Sequence, residues 1–269
     1  MSALHEVFAR AHSEGRAALI GYLPAGFPTV EASIDILCAM VANGVDIVEV
    51  GLPYSDPLMD GAVIQEAAEI ALSNGTTSAD VLKVVAGVAA TGAPTLVMSY
   101  WNPIERFGVE AFAAQLAAAG GVGVITPDLT PEEAGAWIQA TDRHAIDRIF
   151  LVAPSSTEAR IDVVAGVTSG FVYAASTMGV TGMRTSLSGS AAEIVARVRA
   201  RTDKPICVGV GVSTPEQAAE VAAFADGVIV GSAFVRAVLE SGDEAVEAAG
   251  SLARDLAAGV RTVRSHTGR

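Results

Sequence analysis

The chain has 269 residues, 51% of them apolar and 17% charged, and a formal net charge of −13. That acidic balance argues against nucleic acid or anionic membranes as partners, because both need a basic face. No run reaches the roughly 18 apolar residues of a membrane span. The N-terminal stretch "MSALHEVFARAHSEGRAAL" mixes charges into an amphipathic pattern. It lacks the uninterrupted apolar segment of a signal peptide and is expected not to be one.

Short apolar runs then alternate with longer helical patterns. In chain order the runs are 17–23, 46–51, 94–100, 121–126, 147–153, 170–176, 204–211 and 226–232. Several are nearly continuous in apolar residues, as strands of a parallel sheet covered on both faces should be. The helix after the first run ends at Asn43-Gly44, a C-cap signal. Capping boxes are expected at Thr130–Glu133, Ser155–Glu158 and Ser213–Glu216. Eight β/α units in roughly 250 residues predict a (β/α)8 TIM barrel, with extra N- and C-terminal helices. No internal linker is visible, so residues 1–269 are expected to form one domain. Cys38 and Cys207 read as buried free thiols in a reducing compartment. His5, His12, His144 and His266 have no metal-ligand spacing, so no metal site is expected.

A barrel of this kind works at the C-terminal ends of its strands. The second run, "DIVEVG", holds a glutamate among valines. Alternation puts Ile47, Glu49 and Gly51 on one face and Val48 and Val50 on the other. If the valines face the helices, Glu49 points into the barrel. There it loses water, its pKa rises, and it becomes a candidate general acid or base. The competing reading is a glutamate paired with a buried cation. The following loop carries Asp56 and Asp60 and is stiffened by Pro53 and Pro57; Asp60 follows Glu49 by 11 residues, enough to fold back over the rim.

The last two βα turns carry Gly211 and then Gly231-Ser232, the latter opening a helix. Backbone amides and a helix N-terminus at that place suit a phosphate. The stretch Tyr173–Gly189 stays rich in Gly, Ser and Thr and is a candidate lid, with Gly182 within reach of the phosphate corner. Tyr173 shares a face with Phe171 and is either a site residue or a core aromatic. These features describe a metal-free barrel enzyme acting by acid–base chemistry on a phosphorylated, partly apolar substrate. They do not name the reaction.

"VEVGLPYSDPLMDG", "YAASTMGVTG", "GVGVSTPEQ" and "GVIVGSAFV" resemble, in order and spacing, the signature segments of the tryptophan synthase α chain family. The resemblance covers nearly the whole chain. It implies a cytoplasmic barrel that cleaves indole-3-glycerol phosphate to indole and glyceraldehyde 3-phosphate. It implies no cofactor in this chain, and a β chain partner that carries pyridoxal phosphate, in an α2β2 heterotetramer. By the same resemblance Glu49 is the acid–base glutamate, Asp60 meets the indole N–H, and Tyr173 lies by the glycerol phosphate and Glu49. Gly182, Gly211, Gly231 and Ser232 match the phosphate-binding backbone, and Tyr22, Tyr100 and Val210 the indole pocket. Partner contact is implied around Tyr54–Leu58, Asn102–Pro103 and Asp128–Pro131. Two departures stand out: Gly26-Phe27-Pro28 where many members have Gly-Asp-Pro, and Met59 where a small residue is usual. A stand-alone indole-3-glycerol phosphate lyase, an isomerase of another phosphorylated metabolite, and a chain that only regulates its partner are the alternatives.

Overall fold

The computed structural model describes residues 2–175 and 188–261. In chain order the elements are α1 (Ala3–Ser13), β1 (Ala18–Pro24), α2 (Val30–Ala42), β2 (Ile47–Gly51), α3 (Ala62–Ser73), α4 (Ser78–Ala89) and β3 (Thr95–Met98). Then come α5 (Trp101–Phe107), α6 (Val109–Ala118), β4 (Gly123–Ile125), α7 (Gly135–His144), β5 (Asp147–Ile149), β6 (Leu151–Val152) and α8 (Glu158–Val167). The chain finishes with β7 (Val172–Ala175), α9 (Ser188–Arg199), β8 (Ile206–Gly209), α10 (Pro215–Ala222), β9 (Gly227–Val230), α11 (Ser232–Ser241) and α12 (Ala245–Val260).

The strands pair in parallel in the order β5-β4-β3-β2-β1-β9-β8-β7-β6. The two outermost strands are one stretch of chain interrupted only at Phe150. Its first half pairs with β4 and its second half with β7. The Ile149 carbonyl accepts from the Thr126 N–H and the Phe150 carbonyl from the Tyr173 N–H. The sheet therefore closes on itself, and the eight apolar runs of the sequence are the eight staves of a TIM barrel.

Side-chain alternation sorts the core into two layers. Ile20, Ile47, Leu96, Ile125, Ile149, Phe171, Cys207 and Ile229 fill the barrel, while Val48, Val50, Val97, Val124, Val172 and Val208 pack between sheet and helices. The expected extra helices are present and have different tasks. From α1, Leu4, Val7, Phe8 and Ala11 join the interior cluster, and the Phe8 ring stands edge-on to Phe171 with centroids 5.8 Å apart. This plugs the barrel at its N-terminal end. Helix α12 lies outside, against α2, α10 and α11.

A buried ion pair fastens the same end. The Arg16 guanidinium donates to both Asp46 carboxylate oxygens at 2.7 and 2.9 Å, and Asp46 also accepts the Leu19 N–H at 2.9 Å. Pairing and hydrogen bonding together make such a buried charge tolerable. Among the described residues no helix is long and apolar enough to cross a membrane.

The helix starts differ in detail from the sequence reading. Helix α2 does end at Asn43 with Gly44 at φ +109°. The expected box at Thr130 forms a turn, with Thr130 Oγ1 donating to Glu133 and α7 starting only at Gly135. The cap of α8 is Thr157 instead of Ser155, and that of α10 is Thr214, paired with Gln217 instead of Ser213 with Glu216. Of the two thiols, Cys207 is buried and Cys38 only half-buried.

Candidate active site

Glu49 sits one alternation above Ile47, with Tyr22 and Leu96 as its register partners on the flanking strands. It is 1% exposed, and its Oε1 has no hydrogen-bond partner. The competing reading of a glutamate neutralised by a buried cation finds no ion pair here among the described residues. Loss of hydration alone pushes its pKa up to about 8. At neutral pH the group is therefore mainly a carboxylic acid, able to give up a proton and, once ionised, to take one back.

Two tyrosines frame it, and two glycines make room for them. Tyr22 and Tyr173 lie in the barrel mouth with their pKa values raised, first by burial and then by the charges of Glu49 and Asp60. A Cβ on Gly51 would come 2.4 Å from the Tyr22 hydroxyl, and one on Gly209 would come 2.3 Å from that of Tyr173. Both glycines lie on interior-facing strand positions where any side chain would displace an aromatic ring.

The loop after β2 brings Asp60 back over the rim. Its anchor is Tyr100, whose hydroxyl oxygen accepts the Met59 N–H at 2.9 Å. Gln65 ties the Asp60 carbonyl at 2.8 Å. Partial burial raises the Asp60 pKa, and a hydrogen bond from the Tyr100 hydroxyl opposes that shift. Asp56 is exposed, and its side chain accepts from the Ser55 hydroxyl. Of the loop's two aspartates it is therefore Asp60 that turns inward. On the outer side Leu58 and Met59 stand 78% and 53% exposed.

The phosphate candidates lie across the mouth. Strands β8 and β9 pair with Gly209 opposite Ile229, so the turns that follow leave the barrel side by side. Gly211 has φ +77°, a conformation that glycine adopts without strain. Gly231 precedes the first turn of α11, and Ser232 is that helix's first residue, leaving its initial N–H groups without intrahelical partners. A Cβ on Gly231 would lie 3.3 Å from the Tyr22 ring, which places this corner beside the carboxylates. Val210 is 2% exposed in the apolar cluster that includes Tyr22. Gly182 and most of the candidate lid fall outside the described residues.

The structure thus brings Glu49, Asp60, Tyr22, Tyr100 and Tyr173 together at one mouth, with Gly231 at its edge. Among the described residues no group of three or more His, Cys, Asp or Glu side chains is placed to hold a metal ion. Two contacts beside the mouth carry no signal in the sequence: the Tyr100 grip on the Asp60 loop, and Asp128, whose carboxylate accepts the Trp101 N–H. Both join residues distant in sequence, and no local spacing signals them.

The model of the family described as "Tryptophan synthase alpha chain" matches residues 8–262. The chain belongs to the tryptophan synthase alpha chain family. It is 59% identical over 261 residues to the tryptophan synthase alpha chain of Acidothermus cellulolyticus, covering 97% of this chain and 98% of that one. It is also 59% identical to that of Thermobifida fusca over 266 residues, with 97% and 98% covered. Among solved structures, a tryptophan synthase of Mycobacterium tuberculosis superposes with a TM-score of 0.90 at 52% identity, covering 97% of this chain and 98% of that one. The alpha chain of Legionella pneumophila str. Paris, at 32% identity, still gives 0.86 over 97% of this chain and 98% of that chain. The matches cover nearly the whole chain, in a family of lyases acting on indole-3-glycerol phosphate.

Proposed function

We propose that this chain, a single domain over residues 1–269, cleaves indole-3-glycerol phosphate to indole and glyceraldehyde 3-phosphate by a retro-aldol reaction. Glu49 moves protons, Asp60 stabilises charge on the indole ring, and Tyr173 positions the glycerol phosphate. The phosphate rests on the backbone of Gly182, Gly211, Gly231 and Ser232. Tyr22, Tyr100 and Val210 line the indole side.

The chemistry proceeds in balanced steps. A carboxylic acid protonates C3 of the indole, and positive charge develops at N1, where the Asp60 carboxylate stabilises it. A base removes the proton of the 3′-hydroxyl, and the O–H electron pair becomes the carbonyl π bond of the aldehyde. The C3–C3′ bond breaks, and its pair returns to the ring and discharges N1. Glu49 performs one or both of these proton transfers.

The observation that carries this reading is the buried Glu49, with its pKa raised to about 8 and no cation paired with it among the described residues, at the same mouth as Asp60 in a member of this family. The chain itself uses no cofactor in these steps. It acts in the cytoplasm beside a β chain that holds pyridoxal phosphate and takes up the indole, in an α2β2 assembly. The partner meets the face formed by Tyr54–Leu58, Asn102–Pro103 and Asp128–Pro131. The first two of these segments border an open surface hollow of ≈ 540 Å³, through Tyr54, Asp56, Asn102 and Pro103.

The test is indole formation from indole-3-glycerol phosphate by the chain alone and with added β chain. Slow cleavage alone and a large increase with the partner is the expected result. Fast cleavage alone identifies a stand-alone lyase. No cleavage in either condition sinks the reading.

A further inference from the structure

Helix α5 begins directly after Tyr100, and its first amide is capped from another loop. Tyr100 occupies the cap position but supplies no side-chain hydrogen bond to the helix. Asp128, in the turn after β4, does so instead. The Trp101 N–H lies 2.8 Å from one of its carboxylate oxygens and 3.1 Å from the other. A carboxylate is well placed there, because a helix N-terminus carries partial positive charge. The bond fixes the peptide unit on which Tyr100 is mounted.

Tyr100 in turn holds the Asp60 loop. Its oxygen accepts the Met59 N–H at 2.9 Å and faces the amides of Leu58 and Asp60. Its ring packs against Tyr54 with centroids 5.5 Å apart, and Asn102, in the first turn of α5, donates to the Tyr54 hydroxyl at 3.0 Å. The start of α5 therefore grips the loop at two points, Met59 and Tyr54. We propose that Asp128 is a positioning residue: by capping α5 it sets the Tyr100 hydroxyl, and through it the place of the Asp60 carboxylate. This rests on the reading of Asp60 as the charge-stabilising group. Tyr100 acquires a second duty beyond lining the indole side.

The test uses the full chain with saturating β partner and the variants Asp128→Ala, Asp128→Asn, Tyr100→Phe and the double Asp128→Ala/Tyr100→Phe. Because Asp60 acts on charge that develops during reaction, displacing it lowers kcat by about tenfold while KM changes little. Asp128→Asn restores most of the rate, since an amide oxygen still accepts the Trp101 N–H. The double variant is no slower than Tyr100→Phe alone, because both changes interrupt one path.

Tyr100→Phe also moves the acid limb of the kcat/KM profile to higher pH. It removes a donor from Asp60, which shares the mouth with Glu49 from β2 and whose charge raises the pKa values of Tyr22 from β1 and Tyr173 from β7. Amide exchange in a peptide covering residues 52–61 speeds up in Asp128→Ala.

A lower melting temperature with kcat intact shows a cap and nothing more, and overturns the proposal. So does a loss in the double variant equal to the product of the single losses. If the unaltered chain forms no indole, the reading of Asp60 fails separately. The exchange experiment still decides the link, and unchanged exchange in Asp128→Ala sinks it.

Discussion

Gly209 lies beneath the hydroxyl of Tyr173, so close that a methyl group there would meet the oxygen at 2.3 Å and the ring carbons at 3.0 and 3.1 Å. The tyrosine is held in the barrel mouth by what its neighbour lacks. Gly209→Ala is expected to cost about 1–3 kcal/mol, as overpacking does. Most of the clash is with one atom, so adding Tyr173→Phe restores at least half of that loss. Urea midpoints of the two variants check this; equal midpoints would mean that the ring is not held by the glycine. At Gly51 the same rescue fails for Tyr22, because ring carbons themselves would lie 2.7 Å from the new methyl.

Glu49→Gln keeps the size of the side chain and removes its ability to exchange protons. Turnover of indole-3-glycerol phosphate is expected to fall by roughly 10²–10⁴-fold or more, with the circular dichroism spectrum unchanged. A near-normal rate would remove Glu49 from the reaction.

The same substitution should stabilise the protein, and more so at high pH. The carboxyl titrates near 8 when folded and at 4.5 in its reference state, so the folded form holds the proton more tightly. Stability is then full below pH 4.5 and is lost as pH rises toward 8. Glutamine carries no such penalty. The gain from Glu49→Gln is expected on the order of 3 kcal/mol at pH 7 and below about 1 kcal/mol at pH 5. Denaturant titrations at the two pH values measure it, and a gain independent of pH would contradict the desolvated acid.

At the opposite end of the barrel, Asp46→Ala takes two hydrogen bonds from the buried Arg16 guanidinium, which keeps Glu14 and the Ala17 carbonyl, and removes the carboxylate that accepts the Leu19 N–H. Leaving a buried charge with no partner costs about 3–5 kcal/mol; with Glu14 still paired to Arg16 the loss is expected to fall below that range. The site is remote, so kcat measured well below the melting temperature should stay within about twofold. A large fall in kcat would show that this clasp reaches the mouth.

The eight apolar runs and the inward turn of Glu49 were legible because both follow from strict alternation along short strands. The closure of the sheet was only half legible: nothing around Phe150 says that one run will serve two neighbours by splitting. Cap positions slipped by a residue or two at Thr157 and Thr214. Each lies in a cluster of hydroxyl residues that satisfy the spacing rule nearly equally, and only the direction of the incoming chain chooses between them. Helices α3 and α5 are among those with no clear sequence signal. One follows a proline-rich loop, and the other has seven residues, one of them Pro103. Tyr100 read as a pocket residue, whereas its hydroxyl reaches 41 positions back along the chain to Met59. Contacts at such distances leave no periodic trace.

A barrel stoppered at one end by Leu4 and Phe8 of α1 is left, among the described residues, with its doorway at the other end. Substrate must enter and both fragments must leave across the same rim, between the Asp60 loop and the turns that carry Gly211 and Gly231. Arrival and departure cannot be sorted to opposite ends, so traffic is ordered in time instead of space. Any protein that is to receive the indole before it diffuses away has to stand at that threshold.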